Sequence, residues 1–115
     1  MTSDQFRRIA LSLPEVEERG HAGHPDFRVN AKIFATLGYP DEGWGMVKLT
    51  PERQRIYVQA HPTVFVPAQG AWGLGGSTLV RLKTARADAV REAMKAAWLG
   101  RTQKMVSAKS RRGSA

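Results

Sequence analysis

His21 and His24 stand three residues apart with Asp26 close behind, a spacing from which a transition-metal site could begin. Such a site needs three or four ligands and hydrogen-bonded support behind them. His61 is remote in sequence, and Glu15, Glu17 and Glu18 precede the pair in what reads as a loop. The spacing fits neither a metalloprotease helix nor a zinc finger, so His24 is expected to order the start of a strand, and no metal is expected. A second candidate is the glycine-rich stretch 70–76, GAWGLGG, which invites comparison with a phosphate loop. It has no Lys-Ser/Thr pair and leads toward a strand, so it fits no helix-terminus phosphate fingerprint. It reads as a flexible hairpin tip or bulge that packs Trp72 or presents it to a partner. There are no cysteines, which removes disulfides, thiolate nucleophiles and thiolate metal sites. No serine has a recognisable histidine and carboxylate pattern. The residues therefore predict neither an enzyme nor a bound cofactor.

The remaining chemistry is that of cations on strands. Residues 24–50 contain three short runs of alternating apolar residues, separated by turn signals at Asn30-Ala31 and at 39–43 (YPDEG). Alternation places Phe27, Val29, Val47, Leu49, Val80 and Leu82 on one side and Arg28, Met46, Lys48, Arg81 and Lys83 on the other. No Asp or Glu interrupts these outward positions. With Lys32 beside the turn, such a face could follow a phosphate backbone, and Phe34 or Trp72 could stack on bases. A polar open sheet face is also ordinary, because lysine there blocks edge-to-edge pairing. The site residues expected for nucleic acid are thus Arg28, Lys32, Lys48, Trp72, Arg81 and Lys83.

The elements that hold these residues can be read from periodicity and caps. Thr2 and Gln5 have the spacing of a capping box, and Phe6, Ile9, Ala10 and Leu13 form one stripe of a helix that Pro14 ends. Glu15, Glu17 and Glu18 read as a polar connection. After the three strands, Thr50-Pro51-Glu52 starts a second helix, with Ile56, Tyr57 and Ala60 inward and His61-Pro62 as its stop. A short strand over 63–67 and a strongly alternating one over 77–83 follow. Thr84 is placed to cap the last helix, whose stripe is Ala87, Val90, Met94, Ala97 and Trp98, with Gly100 at its end. The order is α-β(3)-α-β(2)-α. This predicts a two-layer α+β domain, a mainly antiparallel five-stranded sheet with its helices on one face.

A length of 115 residues suits one domain, and 42% apolar with 24% charged residues is a globular composition. Net charge is +8, yet residues 101–115 hold Arg101, Lys104, Lys109, Arg111 and Arg112 and no acid, leaving +3 for residues 1–100. The domain is therefore expected to end at 100, followed by a basic, disordered tail able to attract phosphates without regard to sequence. The opening residues have no secretory pattern and no run is long enough to span a membrane, so the expected location is cytoplasmic.

Several stretches together resemble the MmcQ/YjbR family. They are HPDFRV at 24–29, KIFA at 32–35, VKLT at 47–50, Pro67-Ala68, GAWG at 70–73 and Ala97-Trp98. The resemblance covers residues 2–100 and implies a small α+β domain similar to secretion-chaperone and frataxin-like sheets. It also implies DNA binding through a two-winged arrangement of hairpins, with no reaction attached. Relatives often have glycine where this chain has Ala31, and a basic residue where this chain continues Leu74-Gly75-Gly76. The alternative to DNA is a protein-interaction module, with the sheet face or the Trp72 segment binding a peptide or a second copy of the chain.

Overall fold

The computed structural model describes residues 1–21 and 24–114. Helix α1 (Ser3–Leu11) begins at the expected capping box: the Thr2 hydroxyl accepts from the Gln5 amide at 3.1 Å, and the Gln5 side chain accepts from the Thr2 amide at 2.8 Å. Its stripe of Phe6, Ile9 and Ala10 is buried. The next segment departs from expectation. Glu17–His21 is strand β1, not a connection, and it makes the sheet six-stranded. It pairs with one neighbour only, so it is an edge strand, and its sequence EERGH holds no apolar residue whose period could betray it.

Strands β2 (His24–Val29), β3 (Lys32–Leu37) and β4 (Trp44–Lys48) occupy the three runs read from sequence. Asn30 and Ala31 both take left-handed conformations, φ 53° and 63°, the arrangement of a two-residue hairpin turn. The β2–β3 register slips between Phe27, opposite Ala35, and Arg28, opposite Ile33. Phe34 is the extra residue, and both it and Ala35 turn inward, fully buried. Phe34 is thus a core side chain and cannot stack on a ligand.

Thr50 caps α2 (Pro51–Ala60), with proline in its first turn. The helix is rotated from the expected orientation: Ile56 is exposed, Tyr57 is half-buried, and Gln54 is buried instead. After β5 (Phe65–Pro67), the glycine-rich segment forms a short helix α3 (Gly70–Leu74), where a hairpin tip was expected. Strand β6 (Ser77–Arg81) follows, then α4 (Ala87–Ser114), which continues past the anticipated stop at Gly100. Thr84 does not cap α4; its hydroxyl donates to the carbonyl of Thr63 and ties two loops together. The full order is α1-β1-β2-β3-β4-α2-β5-α3-β6-α4, and the sheet order is β1-β2-β3-β4-β6-β5, antiparallel throughout.

One sheet face is covered, as predicted. Phe6 of α1 meets Phe27 of β2 at 6.4 Å between ring centroids, and Val90, Ala93, Met94 and Ala97 of α4 are buried in the same cluster. Tyr57 of α2 packs edge-on against Phe65 of β5 at 5.7 Å. Two side chains of α4 lock it down by hydrogen bonds: the Trp98 indole donates to the Pro14 carbonyl and the Arg101 guanidinium to the Ile33 carbonyl, each at 3.0 Å. Burying such a cluster of aromatic and aliphatic side chains, each worth about 1.5–3 kcal/mol, is what holds the two layers together.

Candidate functional site

The opposite sheet face carries no helix layer. Strand pairing aligns Arg19, Asp26, Thr36, Met46 and Leu79 in one row across it, flanked by Glu17–Arg28–Ile33 on one side. The face divides into two halves of different chemistry. On β1 and β2, Arg19 pairs with Glu17 at 3.1 Å, and the Arg28 guanidinium grips Asp26 through two bonds of 2.8 and 3.1 Å. Those bonds to Asp26 hold the Arg28 guanidinium's pKa above its ordinary value. This half is charged but self-neutralised. The expectation that no acid interrupts the outward positions is therefore corrected: Asp26 lies among them, and it takes up Arg28.

On β3, β4 and β6 the face is apolar. Ile33, Met46 and Leu79, with Thr36 between them, floor a groove of about 400 Å³. Tyr39, beyond β3, and Trp72, on α3, wall it, meeting edge-to-face at 6.3 Å. Both are largely open to solvent, at 52% and 64% exposure, an unusual state for a touching aromatic pair. Besides the Tyr39 phenol, Lys48 and His24 supply the ionisable groups of the lining, which contains no carboxylate among the described residues.

Local structure explains why Trp72 stands where it does. A Cβ on Gly73 would fall 1.7 Å from the Ala68 carbonyl, so only glycine lets α3 fold back this tightly. Gly76 takes φ +110°, and a Cβ there would meet the Leu49 carbonyl at 1.9 Å. The buried Gln54 amide then donates to the carbonyls of Gly73 and Ser77, at 3.0 Å each, pinning the segment at both ends. The glycines serve backbone packing that presents Trp72. They do not cradle a phosphate.

The six residues expected to contact nucleic acid are thus distributed unevenly. Lys48 and Trp72 come together in the groove. Lys32, exposed beside the β2–β3 turn, lies at the Lys48 end of the sheet. Arg81 lies at the far end of the same face, its guanidinium 4.5 Å over the Trp44 ring, and Lys83 is exposed in the turn beyond. Arg28 is on the face but committed to Asp26. Sequence reasoning missed Tyr39, Leu79 and Ile33. Leu79 was legible: between inward Thr78 and Val80 it is an apolar residue at an outward position. Ile33 was hidden by the bulge, and Tyr39 by its place in a turn. The His21, His24 and Asp26 constellation gains no support: among the described residues no group of three or more His, Cys, Asp or Glu could hold a metal ion, and the His21 side chain lies outside them.

An antiparallel six-stranded sheet with helices on one face and a grooved, open second face defines a two-layer α+β domain. The chain belongs to the YjbR family, whose profile matches residues 11–99. Its fold is similar to that of Deinococcus radiodurans protein DR2400, a crystal structure with a DUF419 domain. The two share 22% identity, with a TM-score of 0.69 over 85% of this chain and 76% of that one. No curated protein matches the chain. No helix among the described residues is long and apolar enough to cross a membrane.

Proposed function

We propose that this chain is a DNA-binding domain without a reaction of its own, and that it binds through the open sheet face. The observation that carries this reading is an exposed aromatic pair, Tyr39 and Trp72, at a groove free of carboxylates that holds Lys48. Lys48 lies in the groove itself, and further cations stand at the two ends of the sheet: Lys32 beside the β2–β3 turn at one, Arg81 and Lys83 at the other. Stacking surfaces interleaved with such cations are what a nucleic acid needs when no base-specific code is being read. The net charge of +8 favours approach to a polyanion from a distance.

Four phosphate contacts, at about 0.7–0.9 counterions each, give an expected slope of log K against log salt near −3. Fluorescence anisotropy of labelled DNA at several salt concentrations measures it. Changing Lys48 and Arg81 together to alanine should weaken binding and bring the slope toward −1.5, half the contacts remaining. A double variant with an unaltered slope removes the sheet face from the reading.

One observation favours a protein partner or a second copy of the chain instead: the floor of the groove is Ile33, Met46 and Leu79, and Leu74 nearby is 82% exposed. That reading requires a complex which salt barely affects, and light scattering at low and high salt separates the two.

A further inference from the structure

We infer that the groove between Tyr39, Trp72 and Lys48 receives an unstacked base, so that the domain prefers single-stranded nucleic acid to duplex. This rests on the nucleic-acid reading above and specifies the ligand of the same site. A duplex presents phosphates and base edges; its ring faces are buried in the stack. Binding it would leave the apolar floor of Ile33, Met46 and Leu79 without a partner. It would also lay a phosphate backbone over the β1–β2 half, where Arg19 and Arg28 are already paired with Glu17 and Asp26.

A single strand suits both halves of this chemistry. Its bases have free ring faces, which an exposed tryptophan and tyrosine can take up with little dependence on base identity. The Arg81 guanidinium stacked 4.5 Å over Trp44 offers a second cationic, planar surface on the same face. Lys48 is half-buried in the lining, close enough to the apolar floor to meet the phosphate attached to an inserted base. Charge complementarity thus selects an anion with a flat apolar body over a neutral or cationic peptide side chain. Few polar groups line the groove, so little discrimination among bases is expected.

The test compares three labelled ligands on the full chain at one salt concentration. They are an oligothymidylate of about twelve nucleotides, an oligouridylate of equal length, and a DNA hairpin duplex with the same number of phosphates. The single strands should bind at least about fivefold more tightly than the duplex. Trp72→Ala should lose about that factor on single strands and leave duplex binding unchanged, while Trp72→Phe should restore it. Trp72 is exposed, so neither change threatens folding, and a thermal melt of each variant checks this. Binding of either single strand in this manner supports the inference, the ratio of the two telling DNA from RNA. Duplex binding equal to or tighter than single-strand binding, or a Trp72→Ala variant indistinguishable from wild type, overturns it and leaves DNA binding standing. Failure of all three ligands to bind overturns the DNA-binding reading itself.

Discussion

Gln54 and Tyr57 sit on one helix, and neither behaves as hydrophobic periodicity alone would assign. Gln54 is buried because its amide satisfies two carbonyls of the α3 wrap, at Gly73 and Ser77. The same carbonyls also accept from the backbone amides of Gly76 and Ala68, so what Gln54 adds is two further hydrogen bonds, each worth about 0.5–1.5 kcal/mol, that satisfy its own buried amide and tie α2 to α3 and β6. Tyr57 is drawn half inside by Phe65, and burial there pushes its phenol pKa above the usual value near 10.0, with Glu92 adding to the effect and Arg53 opposing it. A raised folded-state pKa means that the native chain keeps its proton when the unfolded chain has lost it. The stability this contributes is complete below the unfolded value and is lost as pH rises through the folded one. Denaturant unfolding followed from pH 8 to 11 should therefore show a decline on the alkaline side, which Tyr57→Phe makes shallower while leaving neutral-pH stability nearly unchanged. An alkaline limb that is the same in both proteins would mean that other groups produce it.

Elements tell a similar story of local rules overridden by tertiary ones. The capping box of α1, the Thr50-Pro51 start of α2 and the three strands from 24 to 48 were legible because each states its own chemistry within a few residues. Strand β1 was not, since its sequence EERGH shows no apolar period and its residues 17–20 stay exposed. The bulge at Phe34 defeated strict alternation by turning two consecutive residues inward, which also hid Ile33 on the outer face. At the site, alternation correctly put Arg28, Lys48 and Arg81 outward, but it could not say that Asp26 would claim Arg28. The β2–β3 hairpin turn holds a non-glycine residue in a left-handed conformation. Ala31 holds φ +63°, a conformation costing a non-glycine residue about 1–2 kcal/mol. Glycine removes that strain but adds unfolded-state entropy of about 0.4–1 kcal/mol. Ala31→Gly should accordingly stabilise the domain by roughly 0.5–1 kcal/mol, seen as a higher denaturant midpoint with an unchanged slope. A lower midpoint would show that the strain at Ala31 is smaller than the entropy glycine adds to the unfolded chain.

Across the whole molecule, charge is organised in a way that composition conceals. Of the net +8, five charges lie in residues 101–115, and Arg101 among them anchors α4 to the Ile33 carbonyl. A deletion meant to remove the basic tail without disturbing the fold should therefore cut after Thr102, not after Gly100. On the sheet face the β1–β2 half cancels its own charge, which leaves Lys48 and Arg81 as the strand cations of the other half, with Lys32 and Lys83 exposed beside the adjoining turns. Asp26 is what keeps Arg28 out of that set. Asp26→Asn leaves the side chain's shape but removes the charge that binds the guanidinium, making Arg28 available to a phosphate. Binding of a single strand by the chain ending at Thr102 should then strengthen, and the slope of log K against log salt should steepen by about 0.7, one more counterion equivalent. Arg28→Gln in the same background should return both quantities to the starting values, since it removes the freed cation and nothing else that touches the groove. If Asp26→Asn leaves affinity and slope unchanged, the bound strand does not reach β2, and the footprint is confined to the groove itself.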